Sequence, residues 1–198
     1  MLAVIARALR EECRCPTGVN VLRNDALSAL GAAAAAAAAF VRVNVLHGVA
    51  ATDQGLVEGR AAEALRYRRS LGIATEIWAD VEVKFATPLY DPGFEAAIRA
   101  AARRSGADRL LVTGEATGSP PSLERVRAAK AAAGATPVLV ASGVDRDNVA
   151  SLLAACDGVI VGSAFKEDGD VAHPVDSNRV AYFMNEVRSA RRGAGLPA

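Results

Sequence analysis

An excess of charge of either sign is what this chain lacks first: 23 Lys and Arg stand against 22 Asp and Glu in 198 residues. Without a basic excess there is no electrostatic footprint for nucleic acid or for an anionic membrane surface. The one basic cluster, Arg188, Arg191 and Arg192, reads as a solvated helix end. Histidine is scarce, at two residues, and cysteine stops at three. Cys13 and Cys15 flank Arg14, but a lone C-x-C with so few histidines is no zinc signature, and three thiols cannot build a disulfide framework. No cofactor is evident, no metal ligand set is assigned, a role for a divalent ion is left open, and a reducing cytoplasm is the expected compartment. Long apolar runs are missing as well. The longest, Ala29 to Val41, is mostly alanine, is bounded by Asp25 and Arg42, and falls short of the roughly 20 residues that span a bilayer. Arg7, Arg10, Glu11 and Glu12 interrupt the first apolar segment, so no signal peptide is read there.

What the chain does have is alternation. Apolar strand-like segments at Gly18–Leu22, Phe40–Leu46, Thr75–Val83, Arg109–Val112, Val138–Ala141 and Gly158–Val161 are separated by helix-length ones. The helices read as Met1–Glu12, Asp25–Ala38, Glu58–Leu71, Gly93–Ser105, Ser122–Ala133, Asp145–Ala154 and about Asp176 to Ala190, with Asp25, Ser122 and Asp176 as N-caps. The octa-alanine run Ala32–Ala39 reads as a helix packed closely on the sheet. This order predicts a parallel sheet covered by helices.

The most informative stretch is Pro137 to Phe165, PVLVASGVDRDNVASLLAACDGVIVGSAF. Two buried strands each end in a glycine turn carrying a hydroxyl, Ser142-Gly143 and Gly162-Ser163. Loops after strands 7 and 8 of a β/α barrel, with a short extra helix, form such a phosphate cradle; the competing reading is an ordinary βαβ unit with tight turns. Counting back from that site makes Gly18 the start of strand 3. The expected fold is then a (β/α)8 TIM barrel of ribulose-phosphate-binding type lacking its first two strands, one incomplete domain over residues 1–198 with about six β/α units. The competing fold is an open doubly wound sheet. In the incomplete barrel the edge strands at Gly18 and Gly158 and the apolar face of the first helix are left to a homo-oligomer or to another partner.

Period-two alternation sorts the strand faces. Trp78, Asp80, Glu82 and Lys84 share one face and Ala79, Val81 and Val83 the other; Arg42 and Asn44 oppose Val41, Val43 and Val45; Asn20 opposes Val19 and Val21. With the valines against helices, the polar set points into the barrel. Buried charges there are either paired, Arg42 and Lys84 with Asp80 and Glu82, or serve a ligand. Asp80, Glu82 and Lys84 are the catalytic candidates, as acid–base or Schiff-base groups. Asn20, Arg42, Asn44 and Asp53 are the substrate-binding candidates, Asp53 from the long loop His47–Val57 that either closes over a ligand or forms a plain surface turn. Ser142, Gly143, Gly162 and Ser163 are the phosphate-binding candidates.

PTGVNVLRNDALSAL (Pro16–Leu30), FVRVNVLHGVAATDQGLVEGRAAEALRYRR (Phe40–Arg69), ADVEVKFATPL (Ala79–Leu89), TGSPPSLERVRAAK (Thr117–Lys130), PVLVASGVDRDNVASLL (Pro137–Leu153) and CDGVIVGSAFKEDGDVAHPVD (Cys156–Asp176) together resemble the BtpA/SgcQ family over nearly the whole chain. The resemblance implies a ribulose-phosphate-binding type of barrel and an association with membrane-complex biogenesis, notably of photosystem I. Two departures stand out: Phe85 occupies the place where the family usually has a histidine, and the family's N-terminal part with its first two strands is not matched. Two functions follow as expectations. One is an enzyme acting on a phosphorylated sugar or related metabolite by isomerase, epimerase or lyase chemistry; the other is a non-catalytic assembly factor for a membrane complex.

Overall fold

The computed structural model describes residues 1–82, 86–114, 119–193 and 195. In chain order the elements are α1 (Leu2–Cys13), β1 (Gly18–Asn20), α2 (Ala26–Ala36), β2 (Phe40–Val43), β3 (Val49–Thr52), β4 (Gly55–Glu58), α3 (Ala61–Ser70), β5 (Glu76–Val81), β6 (Ala86–Pro88), α4 (Phe94–Arg104) and β7 (Arg109–Val112). They continue with α5 (Leu123–Ala133), β8 (Val138–Val140), α6 (Val149–Leu153), β9 (Gly158–Val159), two 3-10 turns (Ser163–Phe165, Glu167–Gly169) and α7 (Ser177–Gly193). Six strands follow one another in the hydrogen-bonded order β1-β2-β5-β7-β8-β9. The pairs β1–β2, β2–β5 and β8–β9 are parallel, as strict β/α alternation requires. The chain divides into two compact units, residues 1–110 and 111–198.

In the first unit the alternation places its residues as expected. Val19, Val41, Val43, Ile77 and Ala79 are buried in one apolar cluster with Leu30, Ala33 and Ala64 of the covering helices. Alanine is what lets α2 lie close. Ala26, Ala29, Ala33 and Ala36 recur at three- and four-residue spacing, and all four are buried. Asp25 caps this helix, its Oδ1 accepting from the Ser28 N–H at 2.9 Å. The alanine run outlasts the helix, however. Ala37 takes a left-handed conformation (φ 52°), the Ala38 N–H returns to the Ala33 carbonyl, and Ala39 starts the next strand by bonding to Thr17.

Three strands escaped the sequence reading. Residues read as the loop His47–Val57 and the first residue of the next helix form a hairpin, β3 against β4, closed by the two-residue turn Asp53-Gln54. The Thr52 hydroxyl fixes this turn by donating to the Gly55 carbonyl and accepting from the Gln54 N–H. β6 then pairs antiparallel with β3, making a second, three-stranded sheet. Gly59 ties the base of the hairpin: its N–H bonds to Gly48 at 2.8 Å, and a Cβ there would stand 2.3 Å from the His47 Cα.

The second unit has its own core, in which Val126, Val140, Val149, Leu152 and Phe183 pack together. Ser122 caps α5 by accepting from Arg125, and Gly134 (φ 63°) ends it. α6 is shorter than the predicted Asp145–Ala154, because Asp145 spends its carboxylate on a preceding turn, accepting from Asp147 and Asn148.

The close approach of α2 is testable. Ala33→Leu should destabilise the protein by about 1–3 kcal/mol through overpacking, while Ala35→Leu on the exposed side should stay within about 0.5 kcal/mol. Urea unfolding of both variants measures the difference.

Candidate functional site

On the face of the first unit's sheet opposite the helices, side chains stack in two layers. The lower layer is aromatic and ionic. Phe40 and Trp78 stack with centroids 3.7 Å apart, and Trp78 Nε1 donates to Glu76 at 2.7 Å. Arg109 grips the same carboxylate through Nε and Nη2 at 2.7 and 3.1 Å, with its guanidinium 5.3 Å from the indole centroid. Arg109 holds the Glu76 carboxyl below the usual carboxylate range. Gly18 is glycine because a Cβ would enter the Phe40 ring, 2.1 Å from its nearest carbon.

The upper layer is the polar centre. Arg42 and Asp80 are brought together by the parallel register in which Arg42 faces Trp78. Arg42 Nε and Nη2 lie 3.1–3.2 Å from Asp80 Oδ2, and Nη2 is 2.9 Å from Oδ1. Asn44 Nδ2 donates to Asp80 Oδ2 at 2.6 Å. Asn20 completes the chain, its Nδ2 reaching the Arg42 carbonyl at 2.9 Å and Asn44 Oδ1 at 3.3 Å. The Asp80 side chain is 2% exposed against 27% for Arg42, so the carboxylate is buried and the guanidinium reaches solvent. Such an arrangement spends the Nε–Nη2 edge of Arg42 on Asp80 and fixes the orientation of the rest of the guanidinium toward an acceptor group.

The structure thus brings together Asn20, Arg42, Asn44 and Asp80, and parts from expectation elsewhere. Glu82 was placed beside Asp80 on the enclosed face; it is exposed, because the strand ends at Val81 and Glu82 turns to a left-handed φ of 60°, which breaks the period-two pattern. Lys84 lies outside the described residues. Asp53 sits at the hairpin turn with its side chain 69% exposed, paired to Arg23 at 2.9 Å rather than to the polar centre.

In the second unit, the Ser142 hydroxyl is already engaged: it accepts from the Gly114 N–H at 2.7 Å and donates to the Ser119 carbonyl at 3.2 Å. Gly143 (φ 65°) is required by packing, since a Cβ would stand 2.0 Å from the Pro120 nitrogen. Gly162 differs. It is exposed, nothing lies within 4 Å of where its Cβ would be, and it precedes the 3-10 turn that Ser163 opens. Nearby, burial pushes the Cys156 thiol above its usual pKa and its Sγ bonds to the Gly158 carbonyl, which argues against a reactive role.

A cleft of about 440 Å³ opens in the first unit beside Asn44 and Asp80. His47 and Arg104 line it, and neither was singled out from the sequence. Burial first, and the Arg104 charge second, push the His47 pKa below the ordinary imidazole value. The signal for His47 was its place directly after the strand segment Phe40–Leu46 read from the sequence, where barrel proteins carry functional groups; Arg104 sits some sixty residues further on and had none. Among the described residues no group of three or more His, Cys, Asp or Glu suits a metal ion, and no helix is long and apolar enough to cross a membrane.

The BtpA family model matches residues 1–189. A similar protein is the photosystem I biogenesis protein BtpA of a Synechocystis strain, 48% identical over 183 residues, 92% of this chain and 64% of that one. This chain therefore spans just under two thirds of that relative's length. Among solved structures, N-(5'-phosphoribosyl)anthranilate isomerase from Pyrococcus furiosus aligns with a TM-score of 0.64 at 16% identity, over 94% of this chain and 80% of that one. Thiamine phosphate pyrophosphorylase from the same organism aligns with a TM-score of 0.65 at 17% identity, over 96% and 77%. At such identity the likeness is one of fold: α/β, of the β/α-barrel type, here with six strands in the main sheet.

His47 makes stability pH-dependent in a defined direction. Its folded pKa lies below the unfolded value of about 6.5, so as pH falls through that value the unfolded chain takes up a proton that the folded chain does not. Stability should drop from pH 7.5 down to the folded pKa and then level. His47→Gln should lose less stability than wild type between pH 7.5 and 5 in denaturant titrations; equal losses would remove His47 from the effect.

Proposed function

The chain belongs to the BtpA family, and from that premise we propose that it binds a phosphorylated small molecule, a sugar phosphate or related metabolite, and acts on it as an enzyme. The observation that carries the phosphate part is the open backbone at Gly162. A glycine with free space at its Cα, followed by a 3-10 turn whose first N–H groups have no partner within the turn, suits an anion approaching the backbone. Ser142 and Gly143 shape the neighbouring turn, and Gly162 and Ser163 make the contact. Two fold neighbours support the reading through their names, one a phosphoribosylanthranilate isomerase and the other a thiamine phosphate pyrophosphorylase. In barrel enzymes phosphate sites form after the last two strands, where β8 and β9 stand in this chain's order.

The polar centre of the first unit supplies the candidate chemistry. Asp80 provides the acid–base candidate there, and Arg42, Asn20 and Asn44 the substrate-binding ones; Glu82, Lys84 and Asp53 are carried as candidates on the sequence pattern alone. Asp80 accepts from both Arg42 and Asn44, so its first effect is to hold Arg42 in one orientation toward an anionic or carbonyl oxygen. Isomerase, epimerase and lyase chemistry are all compatible with such a centre.

A second reading has its own support: the 48% identical relative is named for photosystem I biogenesis. An assembly factor would keep the fold and bind a protein partner through its surface, with no need of a phosphorylated ligand.

Titration calorimetry with inorganic phosphate separates the readings. The enzyme reading expects saturable binding, a rise in melting temperature with phosphate, and at least about a tenfold loss of affinity in Gly162→Asp, where a carboxylate repels the anion. Equal affinity in both proteins, or no binding in either, counts against the phosphate site.

A further inference from the structure

The 440 Å³ cleft of the first unit has the size of a small-molecule site. Its walls are largely apolar: Val49 and Ala50 of β3, Pro88 of β6, and Ala97 and Ala100 of α4. The two alanines, three residues apart on one helix face, leave the width open. At the rim, Leu89 and Tyr90 are 62% and 79% exposed, an uncovered apolar and aromatic lip. An apolar ring entering here would gain burial against both walls.

Polar groups decide what else the occupant carries. Asp80 is paired with the Arg42 charge and accepts a hydrogen bond from Asn44. Asp91 accepts from the Gly93 N–H at 2.8 Å, and Glu82 has a partner of its own. Arg104 and His47 stand apart from these. Among the described residues the Arg104 guanidinium takes part in no ion pair or hydrogen bond, and the half-buried His47 imidazole has no hydrogen-bond partner. The His47 ring nitrogens reach solvent inside the cleft and are open to an entering acceptor or donor, and an unpaired guanidinium favours an oxyanion. We propose that this cleft binds a small organic anion with a flat apolar ring, an aromatic carboxylate or phosphate monoester. The ring lies between the β3–β6 strands and α4, and the acidic group meets Arg104 and His47. All of these residues belong to the first unit, so the site stands or falls independently of the phosphate turn at Gly162.

Benzoate, phenyl phosphate and benzyl alcohol are the probes, titrated into the full chain by calorimetry. Benzoate, phenyl phosphate or both should bind saturably, their relative affinity showing which acid the site takes, and benzyl alcohol should bind at least about tenfold more weakly. Arg104→Gln, a change at an exposed position, should weaken the anions about tenfold with an unchanged melting temperature, and Arg104→Lys should restore part of the loss. Ala100→Phe, which fills the cleft, should abolish binding; if that variant does not fold, the Arg104 pair decides alone. Gly162→Asp should leave benzoate binding untouched. Absence of saturable binding by both anions, equal affinity in Arg104→Gln, or benzyl alcohol binding as tightly as benzoate would overturn the proposal.

Discussion

Asp80 is a carboxylate on the inner half of a sheet strand with 2% of its side chain exposed, and Arg42 and Asn44 are what allow it to be there. A charge so placed without a partner costs several kcal/mol. The partners are delivered by backbone geometry. Parallel pairing of β2 with β5 sets Arg42 beside Trp78, two residues short of Asp80 along the strand, and the same pairing turns Val41, Val43, Ile77 and Ala79 the other way, into the helices. The ion pair and the apolar core are thus two faces of one register. A slip of one residue would expose the valines and bury the arginine among alanines.

The lower layer follows the same logic with different chemistry. Glu76 is held by Arg109 from β7 and by the Trp78 indole, so that β5 exchanges side-chain bonds with a neighbour at both levels. Phe40 and Trp78 fill the space between, at the cost of requiring glycine at position 18. The upper layer differs because it is left partly open. Arg42 retains exposure, Asn20 is exposed, and a cleft begins beside Asn44. Proposed chemistry and proposed binding both sit at that open level.

Wherever period and capping decide, the sequence was readable. Val43 and Ala79 were assigned to the buried face by alternation, Asp25 and Ser122 to caps by residue type, and Asn20, Arg42, Asn44 and Asp80 to one polar face. The errors have local physical causes. Glu82 was carried along by a period-two pattern that its left-handed backbone interrupts. The β3–β4 hairpin was hidden because Val49–Glu58 is short, mixed and closed by Thr52-Asp53-Gln54-Gly55, a turn whose stability comes from one hydroxyl. The alanine run gave no sign of where α2 stops, since the left-handed residue is Ala37 and not a glycine. The bonds of Ser142 to Gly114 and Ser119 are long-range and cannot be read from a turn motif. His47 and Arg104 meet across more than fifty residues, which only the tertiary fold reveals.

A double-mutant cycle on Arg42 and Asp80, followed by urea unfolding, tests the dependence most directly. Arg42→Met takes the arginine away from a carboxylate whose side chain is 2% exposed and should cost about 3–5 kcal/mol. Asp80→Leu should cost less, because Arg42 can turn to solvent. The double variant should be more stable than Arg42→Met, regaining most of the loss through strong coupling between the two positions. Additive losses, with the double variant as unstable as the two singles summed, would contradict the claim that the buried Asp80 carboxylate depends on its pairing with Arg42.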